Sequence, residues 1–173
     1  MKRFIIDLIV IAIIVGGGLF VFLGQGYFNT RADVNPSPTE KYWAMRSVDA
    51  WVERNAPGNA PNEANPVHLK DGMTLYLSHC AGCHSSPGAA GKDFGRFFYP
   101  PAPNFIKEAP DMPENQNFYI IKHGIRWSGM PAWGSVLTDD QIWEVAAFLS
   151  HLDNLPPAVQ QQWEKPAAPG SQH

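Results

Sequence analysis

Cysteine is almost missing from this chain, with two among 173 residues, at positions 80 and 83. That scarcity excludes a disulfide framework, leaves no second cysteine pair to complete a zinc tetrahedron, and offers no further thiol for a lipid anchor. Charge is sparse too: 17% of residues are charged and the net charge is −3, which supplies no basic surface for nucleic acid. No stretch alternates apolar and polar residues convincingly enough to be a strand. Proline and glycine, by contrast, are plentiful at 16 and 15, and they imply much loop and linker.

Both cysteines fall in Cys80-Ala81-Gly82-Cys83-His84. Thiols at i and i+3 near a helix end can each add across a vinyl group of a haem, while the following imidazole binds the iron. A thiol-disulfide redox pair is the competing reading, but it expects a strand-helix-strand setting that the sequence does not offer. A zinc site would have to recruit scattered histidines. Covalent haem attachment through Cys80 and Cys83, with His84 as an axial ligand, is the reading the pattern supports.

The N-terminus carries Lys2 and Arg3 and then an apolar run broken by Asp7, with the 17 residues Leu8 to Gly24 uncharged. As a helix this run spans about 25 Å, and the flanks Phe4 to Ile6 and Tyr27-Phe28 bring it to bilayer thickness. A cleaved signal peptide competes with an uncleaved anchor. The run exceeds the usual apolar core of a signal peptide and Gly24-Gln25-Gly26 is a poor cleavage site, so residues 1–28 are read as a transmembrane anchor. The positive-inside rule puts the N-terminus in the cytoplasm of a bacterium and the remainder in the periplasm, on the side where haem is attached covalently.

Residues 29–66 read as a spacer. Ser37-Pro38-Thr39-Glu40 has the form of a capping box, and Ala44, Val48, Trp51 and Val52 share one face of a helix running to about Arg54. The tryptophans of that helix suit a membrane surface, a partner subunit or the following domain. The 12 residues Asn55 to Pro66 read as a flexible linker covering on the order of 20 Å, enough to let a tethered domain swing. Residues 67–155 form the compact domain, with a first helix from near Asp71 to the cysteines and a second over Glu114 to His123, capped by Gly124. The last starts at the capping box Thr138-Asp139-Asp140-Gln141 and ends before Pro156-Pro157. Residues 156–173, rich in proline, glutamine and alanine, read as a disordered or partner-bound tail.

The pattern Gly72-Met-Thr-Leu-Tyr76, then Cys80 to His84, Ile121-Lys-His-Gly124 and Gly129-Met130-Pro131-Ala132-Trp133, resembles the class I (mitochondrial-type) cytochromes c. Bacterial membrane-anchored members, and the haem domains of respiratory-complex subunits, are the nearest in kind. The resemblance covers residues 69 to 153. It implies an all-α cytochrome c fold, three main helices around one covalently bound haem c, here with an N-terminal transmembrane helix added. It further implies that Met130, 46 residues after His84, is the sixth ligand of the iron, with His123 as runner-up. Met-Pro suits the role, since a thioether needs no deprotonation and Pro131 holds Met130 extended. Pro103 matches the proline whose carbonyl accepts the N–H of the proximal imidazole. Arg126, Trp127 and Trp133 are available to haem propionates or to plain surface packing. Ser85 stands where many relatives have glycine.

Histidine and methionine together leave no open position for a small-molecule substrate. The expectation is therefore one-electron transfer between respiratory-chain components, from a quinol-oxidising complex or dehydrogenase to an oxidase or another cytochrome. The protein would then be an electron carrier or complex subunit rather than an enzyme in its own right. The alternative is a haem sensor or peroxidase-like enzyme whose sixth ligand is displaced. Within residues 67–155, six basic residues face nine acidic ones, so no lysine ring steers a partner, and an apolar rim of Phe97, Phe98, Tyr99 and Trp133 is the candidate docking surface.

Overall fold

The computed structural model describes residues 2–27, 29–58, 61, 65–88 and 93–165. Phe28, Lys92, the middle of the 55–66 linker and the last eight residues of the tail lie outside the described residues. Every regular element described is helical, with no strand. The chain divides into two units, Met1–Arg31 and Ala32–His173. The first holds α1, Lys2–Gly24, 23 residues long, in which an 18-residue stretch has a mean hydropathy of 2.8 and none of it is buried against protein. At about 1.5 Å per residue this helix is long enough to cross a bilayer.

The second unit opens with α2, Pro38–Asn55. Ser37 Oγ accepts from the Glu40 N–H at 3.2 Å and the Glu40 carboxylate accepts from the Ser37 N–H, the reciprocal pair the sequence pattern implies. Next comes α3, Pro66–His79, which begins five residues before Asp71, where periodicity placed its start. Asn65 is the reason: its Oδ1 accepts from the N–H groups of Val67 and His68, and Pro66 occupies the first turn. One turn, α4 (Ala81–His84), follows Cys80.

Then come a 3-10 turn at Phe94–Phe97, α5 over Glu114–His123, a second 3-10 turn at Trp133–Ser135, and α6 over Asp139–Ser150. Thr138 and Gln141 cap α6 reciprocally, and Gly124 closes α5 with φ +66°.

Helices α3 and α6 cross, and Gly72 lets them. A Cβ at Gly72 would overlap the Glu144 carbonyl and press on Phe148 Cβ, so any larger residue would drive the helices apart. Around this crossing Met73, Tyr76, Ile142, Val145 and Phe148 are fully buried, each such apolar side chain contributing about 1.5–3 kcal/mol by leaving water.

Two features depart from the expectation. The spacer helix is part of the folded unit: Val52 is buried, α2 packs on α5, and Asn115 Nδ2 donates to the Pro57 carbonyl at 2.9 Å. Trp43 and Trp51 remain exposed, so it is Val52 and not the tryptophans that docks α2. The segment after α2 therefore does not separate a swinging domain from its spacer. In the tail, residues read from composition as disordered form α7, Pro157–Trp163, and bury Val159 and Trp163. Val159 and Trp163, four apart, share one helix face, and that face is what the core receives.

Candidate haem site

Cys80 ends α3 and its carbonyl accepts the N–H groups of Cys83 at 3.0 Å and His84 at 2.9 Å. This tight turn sets both thiols and the imidazole within one helical turn of each other. Both cysteines are free and half-buried. Burial, and then the neighbouring Cys83, pushes the Cys80 thiol up to about 12; burial also raises Cys83.

His84 is held on two sides. Its Nδ1–H donates to the Pro103 carbonyl at 2.9 Å, the tautomer that leaves Nε2 with its lone pair free. Its ring lies flat on Phe105, centroids 4.6 Å apart and planes 2° from parallel. Burial lowers its pKa, only partly offset by the Pro103 bond, so the imidazole is neutral at physiological pH, the state in which it binds a metal.

Below it, the Tyr76 hydroxyl donates to the Ser85 carbonyl at 2.7 Å and lies 3.2 Å from that of His84. Burial raises the Tyr76 pKa far beyond any physiological pH, which keeps the donor protonated. Ser85 itself has φ 72° and ψ 167°, a region that glycine occupies freely and a side chain does not. Its Oγ is fully buried with no hydrogen-bond partner among the described residues.

Met130 is half-buried against the core that also supports Cys80, Phe105 and Trp133. Its loop is stiff. Ile125 N–H donates to the Met130 carbonyl at 3.1 Å, Met130 N–H donates to Ser128 Oγ at 3.1 Å, and Ser128 Oγ donates back to the Ile125 carbonyl at 2.7 Å. Gly124 is required there as well, since a Cβ would crowd the backbone of Met130 and Pro131. Ser128 escaped sequence reasoning, although a serine two residues before the methionine is the available signal for such a turn. Gly129 meets Phe98 so closely that a Cβ would overlap the ring.

The remaining candidates are dispersed. Trp133 lies against His79, centroids 5.3 Å apart. Arg126 is exposed and reaches over Trp127, itself 91% exposed with a positive φ. His123 is exposed and rests on Tyr119. Of the expected rim, Phe97 is exposed under Arg96, whereas Tyr99 is engaged with Glu40 of α2.

These residues fit a haem c: paired thiols, a neutral imidazole oriented through its other nitrogen, and a thioether in a stiff loop on the same core. Residues 68–149 match the family of cytochrome c oxidase, cbb3-type, subunit III. The match supports a class I c-type cytochrome domain over these residues. The match begins at His68 in α3 and ends at Leu149 in α6, so α1, α2 and α7 stand outside it. No curated protein matches the chain significantly. The cytochrome domain implies haem c and electron transport, and the N-terminal apolar helix is consistent with a membrane anchor.

Proposed function

We propose that this chain is a membrane-anchored, mono-haem cytochrome c that passes single electrons between components of a respiratory chain, as a subunit of an oxidase or in tight association with one. Bound haem c supplies a one-electron iron couple. The chain's own residues do the rest: Cys80 and Cys83 would hold the group by thioethers, and His84 and Met130 would bind its iron as neutral donors. Pro103 fixes the imidazole ring and raises its donor strength. The observation that carries this reading is the bond from His84 Nδ1 to the Pro103 carbonyl, which leaves one nitrogen for iron and orients it.

The match to an oxidase subunit family supports a place in a respiratory complex. α1 supports a single bilayer crossing, with Lys2 and Arg3 holding its start in the cytoplasm and the haem domain in the periplasm. In this reading residues 1–28 are the anchor, 29–66 the spacer and 67–155 the haem domain, with α7 completing its core. Arg126 and Trp133 belong to the surroundings of the haem, and the donor and acceptor are redox proteins rather than small molecules.

The test is the absorption spectrum of the haem-matured full chain, oxidised and then reduced with and without carbon monoxide. A methionine-iron charge-transfer band that vanishes in Met130→Ala, with little carbon monoxide binding in the wild type, supports the carrier. Rapid carbon monoxide binding without that band would replace it with a sensor or peroxidase-like enzyme.

A further inference from the structure

Helix α7 lies outside the residues matched to the cytochrome family, yet its last residue sits in the core. Trp163 meets Tyr76 edge-on with ring centroids 5.7 Å apart and meets Phe148 at 5.2 Å. Tyr76 in turn touches Phe148 and Phe105, and Phe105 is the ring stacked on His84. The Tyr76 hydroxyl reaches the Ser85 and His84 carbonyls. One tryptophan from the C-terminal segment therefore closes the aromatic cage around the tyrosine that holds the turn bearing the proximal histidine. Phe148 alone would leave Tyr76 packed on the α6 side and uncovered on the α7 side.

We infer that Trp163 is a positioning residue for the proximal ligand: by fixing the Tyr76 ring it keeps the His84–Ser85 turn, and with it the His84 to Pro103 hydrogen bond, in place. This rests on the haem reading of His84 given above. The physical route is short. Removing the indole leaves space beside Tyr76, whose ring can then tilt into it. The hydroxyl moves away from the two carbonyls, the turn relaxes, and the Nδ1–H bond to Pro103 lengthens. An imidazole less strongly held through Nδ1 is a weaker donor to ferric iron, so the ferrous form gains and the reduction potential rises. The α7 segment thereby acts on the chemistry through Tyr76 and the turn that Tyr76 holds.

The experiment uses the haem-matured full chain in five forms: wild type, Trp163→Ala, Trp163→Phe, Tyr76→Phe and the double variant Trp163→Ala with Tyr76→Phe. Reduction potential, the ferric low-spin magnetic resonance spectrum, and solvent exchange of the His84 Nδ1 proton are measured on each. Trp163→Ala should raise the potential, shift the low-spin signals and speed the proton exchange. Tyr76→Phe should move all three in the same direction, the double variant should add little to Tyr76→Phe alone, and Trp163→Phe should restore most of the wild-type behaviour. A Trp163→Ala protein that unfolds more easily but keeps the wild-type potential, spectrum and exchange rate would reduce Trp163 to plain packing and overturn the inference. A wild type without a low-spin histidine-methionine spectrum would instead overturn the haem reading itself, and this inference with it.

Discussion

Replacing Ser85 by glycine should make the protein more stable, although it removes a fully buried side chain. At φ 72° and ψ 167° the serine occupies a backbone region that is essentially glycine's own, and holding a side chain there costs about 1–3 kcal/mol. Its Oγ is buried without a partner among the described residues, a further cost of about 1–3 kcal/mol. Against these, glycine increases the freedom of the unfolded chain by about 0.5–1 kcal/mol. Because relaxation shares the first two costs, a net gain near the lower end, about 1–2 kcal/mol, is expected. One kcal/mol corresponds to about 3–4 °C in Tm for a folded unit of this size. The assay is guanidinium unfolding of the haem-matured protein, followed by circular dichroism and by haem absorbance, with Ser85→Ala as the control. Alanine removes the unpartnered hydroxyl but keeps the backbone strain, so it should gain less than glycine. A glycine variant less stable than wild type, or an alanine variant gaining just as much, would refute the argument from backbone strain.

Gly72→Ala should lose at least about 3 kcal/mol, or fail to accumulate as haem-matured protein, because its Cβ overlaps the Glu144 carbonyl where α3 and α6 cross; the yield of holoprotein and its unfolding midpoint report this. Ser128→Ala should leave the fold intact but loosen the Met130 loop. The pH at which the methionine-iron band disappears on alkaline titration should then fall relative to wild type. Burial first, and then the Asp71 carboxylate, holds the Glu144 carboxyl above its ordinary range, with His68 opposing. A raised folded pKa means that the native state binds more protons than the unfolded chain. This group therefore removes stability as pH rises from the ordinary carboxylate range through the raised value, and Glu144→Gln should flatten that part of a stability-against-pH curve measured by urea unfolding.

Much of the architecture was legible in local chemistry. The capping boxes at Ser37 and Thr138 mark helix starts with side chains that bond their own backbone, and the glycine after His123 marks a helix end by its positive φ, so no distant contact is needed to read them. The early start of α3 was missed because Pro66 was taken with the linker prolines, when Asn65-Pro66 is also a cap followed by a first-turn proline. α7 was missed for a different reason: proline and glutamine dominate its composition, while its burial depends on Val159 and Trp163 meeting a core built from other helices, Tyr76 of α3 and Phe148 of α6 among it. At the site, the motif alone singled out Cys80, Cys83 and His84, and Met130 and Pro103 came from likeness to a family. Tyr76 belongs to the pattern that carries the resemblance; that its hydroxyl serves the turn after His84 is a three-dimensional fact with no local signature.

The docking of α2 also decides how much of the chain the cytochrome domain needs in order to fold. With Val52 buried, α2 packed on α5 and Asn115 bonded to Pro57, the packed unit reaches upstream of the matched residues 68–149, as α7 carries it downstream. A fragment cut to the match would expose the surface that Val52 covers and lose the indole beside Tyr76, so the smallest intact cytochrome starts ahead of Ser37, the cap of α2, and ends after Trp163.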